Sequence, residues 1–105
     1  MYRSHGCWKD KADRAIPIIE GTNNLIAGNY GHRLGPIEKC LKVAAAQSFT
    51  IFAIQNGGEC RSSANARNTY WKHGISSDCP DNGEGGLWIS HVYEIKNGTF
   101  AINTN

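Results

Sequence analysis

Pro36-Ile37-Glu38-Lys39-Cys40-Leu41-Lys42-Val43-Ala44-Ala45-Ala46-Gln47-Ser48 and, just beyond it, Thr50-Ile51-Phe52-Ala53-Ile54-Gln55 decide the fold. In the first stretch Ile37, Cys40, Leu41, Ala44 and Ala45 recur at helical spacing. Pro36 suits a first helical turn, where its missing N–H has no partner to lose. The spacing predicts a helix over residues 36–48, with Lys39 and Lys42 on solvated faces and Cys40 pointing inward. The second stretch is apolar and β-rich; it reads as a buried central strand, broken by Asn56-Gly57-Gly58. A helix packed on the strand that follows it brings Cys40 near that strand's end, where Cys60 stands.

Working outward, residues 7–20 read as an opening strand and turn, with Pro17 at an edge because it cannot donate to a central ladder. Residues 21–35 hold Gly21, Gly28, Gly31 and Gly35 among three asparagines, which is loop composition. Downstream, Ser63 to His73 reads as a short polar helix stopped by Gly74, and Asp81 to Gly86 as a flexible loop. Leu87 to Ile95 is the next strand, Asn97-Gly98 a hairpin turn, and Thr99 to Ile102 the returning strand. One good helix, several strands and long Gly-rich loops give an α+β domain without internal repeats.

A chain of 105 residues is enough for one domain, 1–105, and its core is small enough for covalent staples to matter. A net charge of +2, spread evenly along the chain, does not form the basic stripe that a nucleic-acid partner requires. No apolar run reaches the length of a membrane span, so no membrane insertion is expected. The four cysteines, Cys7, Cys40, Cys60 and Cys79, are widely spaced and lack zinc-type spacing. They predict disulfides and a secreted, extracellular protein. Four cysteines allow three connectivities; helix-on-strand packing favours Cys40 with Cys60, leaving Cys7 with Cys79. Met1 to His5 is polar, and is read as the start of a mature chain carrying an initiator Met.

Enzyme chemistry finds little to work with. Disulfides consume the thiols, and a Gly-x-Ser-x-Gly elbow, a phosphate loop and a His-Glu-x-x-His helix are all absent. Glu59 and Glu84 are the carboxylates a glycosidase pair would need, but both fall in loops and nothing sets their separation. His5, His32, His73 and His91 are scattered without metal spacing. No catalysis and no cofactor are expected.

Binding chemistry is better represented. Asn56, Glu59 and Arg61 offer amide, carboxylate and guanidinium groups beside a bridged cysteine; such planar groups read sugar hydroxyls by paired hydrogen bonds. Asp81, Asn82 and Glu84 offer oxygens to a ligand; they could also hold Ca²⁺, although the spacing is not that of an EF-hand loop and a solvated turn is the simpler reading. Trp88 and Trp71 are candidates for stacking on a sugar ring, whereas Trp8 and Tyr93 are expected to pack in the core. The ligand is placed at the Asn56–Arg61 and Asp81–Trp88 loops, at one end of the sheet, with residues 22–33 (Asn23, Asn24, Asn29, Tyr30 and Arg33) as the next place to look. Asn97-Gly98-Thr99 is an N-glycosylation sequon on the expected hairpin turn.

The order of these pieces has a likeness. Gly6 to Asp10 and Asp13 to Pro17 give Gly-Cys-aromatic-Lys-Asp and Asp-Arg-Ala-Ile-Pro; a helix around Cys40 follows, then Phe-Ala-Ile-Gln-Asn-Gly-Gly-x-Cys over Phe52 to Cys60. Cys79, a Gly-Gly and a closing Val-Tyr-Glu-Ile strand complete the series. Over about residues 6–95 the chain resembles the WSC domain and its cysteine-poorer relatives in secreted invertebrate proteins, and more distantly the PAN/apple class. The WSC pattern carries more cysteines, so its connectivity is not carried over. The resemblance implies an antiparallel sheet cradling one helix. It also implies a lectin-like module that binds glycans or glycoproteins; the alternative is an extracellular protein-interaction domain of a toxin or matrix component. A lone module would bind weakly, so a homo-oligomer is expected.

Overall fold

The computed structural model describes residues 2–96. Strand β1 (Tyr2–Lys9) is followed by a long irregular segment, helix α1 (Pro36–Ala46), and strands β2 (Ile51–Gln55), β3 (Glu59–Ser62) and β4 (Ile89–Ile95). The strands form one antiparallel sheet in the order β1-β4-β2-β3. The described residues form a small disulfide-stabilised α+β fold, with one α-helix and four strands among them, Cys7 bridged to Cys79 and Cys40 to Cys60.

Both faces of the sheet are covered. Side chains alternate across a strand, so β2 sends Phe52 and Ile54 to one side and Ile51 and Ala53 to the other. The first face packs under α1, where Phe52, Ile54, Tyr93 and Ile95 meet Cys40, Leu41, Val43 and Ala44. The second packs under loops, where Ile51, Ala53 and Val92 meet Ala15, Ile16 and Ala66, with Trp8 and Tyr70 alongside. Tyr93 is in the core as expected; Trp8 is half-buried and donates its indole N–H to the His5 carbonyl at 2.8 Å. Parts of both sheet edges are occupied too. Residues 74–76 bond along β1 (Lys9 N–H to Gly74, Ser76 N–H to Cys7), and residues 17–19 along β3 (Ile19 N–H to Cys60, Ser62 N–H to Pro17). These bonds cover β3 and the Cys7–Lys9 end of β1, where another strand would otherwise pair.

Several boundaries differ from those the sequence predicts. The helix stops at Ala46, because Ser48 turns left-handed (φ 65°) and the amides of Ser48 and Phe49 close back onto Ala45 and Ala44. This is a Schellman ending with serine where glycine is usual. Residues 63–73 contain only a 3₁₀ turn at Ala66–Asn68. Ser63 accepts from the Asn65 amide and Asn68 donates to Asn65, so side chains compete with helical bonding. β1 starts at Tyr2 and ends at Lys9, and β4 starts at Ile89 because Leu87 and Trp88 form a turn. Asn56-Gly57-Gly58 does not merely end β2; it folds the chain back into β3, with Asn56 (φ 51°) and Gly57 (φ 86°) both left-handed. The expected Asn97-Gly98 turn, the sequon and the Thr99–Ile102 strand lie outside the described residues.

Candidate functional site

The two predicted loops meet at the end of the sheet where β2 turns into β3 and the chain enters β4. Gly57 donates its N–H to Glu84 at 3.0 Å and Asn56 donates to Gly86 at 3.3 Å. β4 anchors the second loop from beneath: the Tyr93 hydroxyl donates to the Gly83 carbonyl at 2.6 Å, and the Gly85 N–H donates to Nδ1 of His91 at 2.8 Å. That bond requires a bare Nδ1, and burial holds the His91 pKa below its ordinary value, against the opposing pull of Asp81. The Tyr93 hydroxyl is pushed up to about 12, chiefly by burial and also by Tyr2, Glu84 and Glu38, so it stays a donor.

Gly86 and Ile89 exchange both backbone bonds, at 3.1 and 3.3 Å, and so place Leu87 and Trp88 at a two-residue tip. Trp88 has φ 60°, a left-handed conformation that a bulky residue adopts only when its surroundings impose it. Both tip residues are exposed, Leu87 at 76% and Trp88 at 42%. Asp81 and Asn82 are exposed and Asn56 and Glu84 half-exposed. The Asn82 side-chain oxygen accepts from the Glu84 N–H at 2.9 Å, which shapes the loop locally.

Two predicted residues do not reach this surface with their side chains. Glu59 and Arg61 face the second side of the sheet and are buried. Arg61 donates through Nε and Nη2 to Oε1 of Glu59 at 3.3 and 3.2 Å, and through Nη1 to the Ile16 carbonyl at 3.0 Å. Asn56 donates to the same Glu59 oxygen at 3.2 Å. Glu59 is thus a buried partner of Arg61, which leaves a Glu59/Glu84 acid pair without its first member. Trp71 is exposed on a different segment, tied to the bend at Asp13 through Lys72 (3.1 Å) and His73 (2.6 Å to the Asp13 carbonyl).

Sequence reasoning assigned no role to Asp10, Arg14, Gln55 and Ser90, which stand behind Trp88. Asp10 is buried and accepts from the Ala15 N–H at 3.0 Å, from Gln55 Nε2 at 2.7 Å and from Arg14 Nη1 at 2.9 Å; Gln55 also donates to Ser90 at 2.8 Å. Burial raises the Asp10 pKa, but the hydrogen bonds from Ala15, Gln55 and Arg14 outweigh it and hold the group below its ordinary value. The Asp10 N–H donates to the Trp88 carbonyl at 2.9 Å. The guanidinium carbon of Arg14 lies 4.2 Å from the centroid of the Trp88 ring, a cation–π contact. The signal in the sequence was the Asp10/Arg14 spacing of four, which occurs here in a bend and not in a helix.

The fallback region 22–33 is mostly occupied in shaping itself. Asn23 and Asn29 cap 3₁₀ turns, and Arg33 makes a two-pronged ion pair with Glu20 at 2.6 and 2.7 Å. A groove of about 510 Å³ opens at the far end of β2, its lining including Ile19, Val43, Phe49, Thr22, Asn23 and Gln47. Thr22 already donates to Ile19, and Asn23 accepts from Leu25. Among the described residues no group of three or more His, Cys, Asp or Glu could hold a metal ion, and no helix is long and apolar enough to cross a membrane. Comparison with family models, curated proteins and solved structures found no match.

Proposed function

We propose that this protein is a secreted lectin that binds glycans, without catalysis, where Asn56–Gly57 meets Asp81–Trp88. The observation that carries the reading is Trp88, an exposed indole held at φ 60° on a tip anchored to β4 and β2. A sugar ring lays its C–H face on such a surface while its hydroxyls seek planar polar groups, and Asp81, Asn82, Glu84 and Asn56 surround the same loop. The loop is already fixed by Tyr93 and His91, so binding has little chain entropy to offset. Two disulfides fit an oxidising, extracellular setting, and the WSC-like order of motifs points the same way. Multivalent attachment would require a homo-oligomer.

A second reading has one specific support. Leu87, 76% exposed beside Trp88, suits an apolar contact with a protein partner. A glycan array separates the two. A lectin binds a defined set of glycans and is displaced by free sugar; failure on every glycan favours the protein-interaction domain. Repeating the array with a chelator settles Ca²⁺, since undiminished binding removes the metal.

A further inference from the structure

The guanidinium of Arg14 is held from two sides. Its Nη1 is bonded to Oδ2 of Asp10 at 2.9 Å, and its carbon sits 4.2 Å from the Trp88 ring centroid. Asp10 is in turn bonded by the Ala15 amide and by Gln55 of β2, which ties the anchor to the sheet. The Arg14 side chain is 37% exposed, and among the described residues neither its Nε nor its Nη2 has a hydrogen-bond partner. These two groups lie on one edge of the guanidinium and form a fork whose spacing matches the two oxygens of a carboxylate. An exposed arginine usually gives up much rotamer freedom to hold a ligand; here the Asp10 bond and the Trp88 contact already reduce it. The fork bonds two oxygens at once, which is all a carboxylate has, whereas a sulfate or phosphate ester keeps a third terminal oxygen outside it.

We infer that the glycan taken here carries a carboxylate, as uronic and sialic-type sugars do. Its two oxygens accept from Nε–H and Nη2–H of Arg14 while the sugar ring lies on the exposed surface of Trp88; this rests on the carbohydrate-binding reading above. Arg14 and Trp88 are then ligand-contacting residues, and Asp10 is a positioning residue acting through Arg14.

The test is calorimetric titration of the full chain with a glucuronate-terminated oligosaccharide, a sialyl oligosaccharide, the methyl ester of each, and the neutral counterpart of each. The expected result is that at least one acid binds about tenfold or more tighter than its ester, because esterification removes the charge and one acceptor. Arg14→Gln, with unchanged melting, should bring the ratio of acid to ester affinity, read within the variant itself, to about one, because glutamine has neither the charge nor the fork. Equal affinity for acid and ester in the parent overturns the inference without any variant, as does a preference that survives Arg14→Gln. If neutral sugars bind and acids gain nothing, the acidic specificity fails and the lectin reading stands; if no glycan binds, both fail.

Discussion

The backbone N–H of Gly57, in the turn between β2 and β3, donates to the carbonyl of Glu84 at 3.0 Å, joining two loops 27 residues apart in the chain. The join depends on Gly85, which has φ 65° and lies so close to the chain that an added Cβ would overlap the Ile54 carbonyl oxygen and stand 2.9 Å from the Gln55 Cα. Gly85→Ala should therefore cost more than backbone conformation alone. We expect a loss of about 2–4 kcal/mol in urea unfolding, combining a left-handed alanine with overpacking. Gly21→Ala is the control: it has φ 81° with nothing within 4 Å, and should lose only about 1–2 kcal/mol. Equal losses would mean that Gly85 is not packed against β2.

The two bridges should differ in how they respond to reductant. Cys40–Cys60 is wholly buried between α1 and β3, while Cys79 is only half-buried. Mild reduction of the native protein, followed by alkylation and peptide mapping, should label Cys7 and Cys79 first, because exchange requires access by the attacking thiolate. In the chain-entropy picture, losing Cys7–Cys79 (separation 72) costs about 4 kcal/mol and losing Cys40–Cys60 (separation 20) about 3 kcal/mol, to which burial of the second pair adds a packing loss. Simultaneous labelling of all four cysteines would contradict this order.

Glu94 sets an acid limit on stability. Its carboxylate is held at about 2, from an ordinary 4.5, first by His5 (2.9 Å), then by Arg3 (2.7 Å) and Arg67 (3.0 Å). A depressed folded-state pKa contributes stability that is fully present above 4.5 and lost as pH falls towards 2. Glu94→Gln should lower stability at neutral pH and flatten the decline across that window, as read from urea midpoints at successive pH values. A variant that keeps the parent's acid slope would assign the decline to other carboxylates.

Ser48 is left-handed at the helix ending, φ 65°, a position that favours glycine. Ser48→Gly should raise the melting temperature slightly, with a gain of about 0.5–1 kcal/mol from relief of that conformation. A loss would show that the serine side chain has a role that its backbone position does not reveal.

Much of the frame was legible because it follows from periodicity and proximity. The Ile37–Ala45 spacing marks a helix, the Ile51–Ile54 run marks a central strand, and a helix packed on the next strand brings Cys40 to Cys60. β3 was hidden because Glu59 and Arg61 make it look like a polar loop, when they are paired with each other beneath covering residues. Residues 63–73 misled for the opposite reason: their composition permits a helix, but serine and asparagine side chains take the local backbone bonds. That the two loops share one end of the sheet was anticipated; the Gly57–Glu84 bond that joins them was not. The Asp10–Arg14–Trp88 contact was not, because it joins a bend to a distant turn and depends on a tryptophan in a conformation no propensity would assign it.

The most direct test of the account is NMR mapping of the amide and indole N–H signals during titration with the strongest glycan from the array. The largest shifts are expected on the Trp88 indole, the amides of Asp81 to Trp88, and Asn56 and Gly57, with the Gly21 to Arg33 segment unmoved. Shifts centred instead on the groove around Thr22, Asn23 and Gln47, or a Trp88 signal indifferent to saturating glycan, would contradict it.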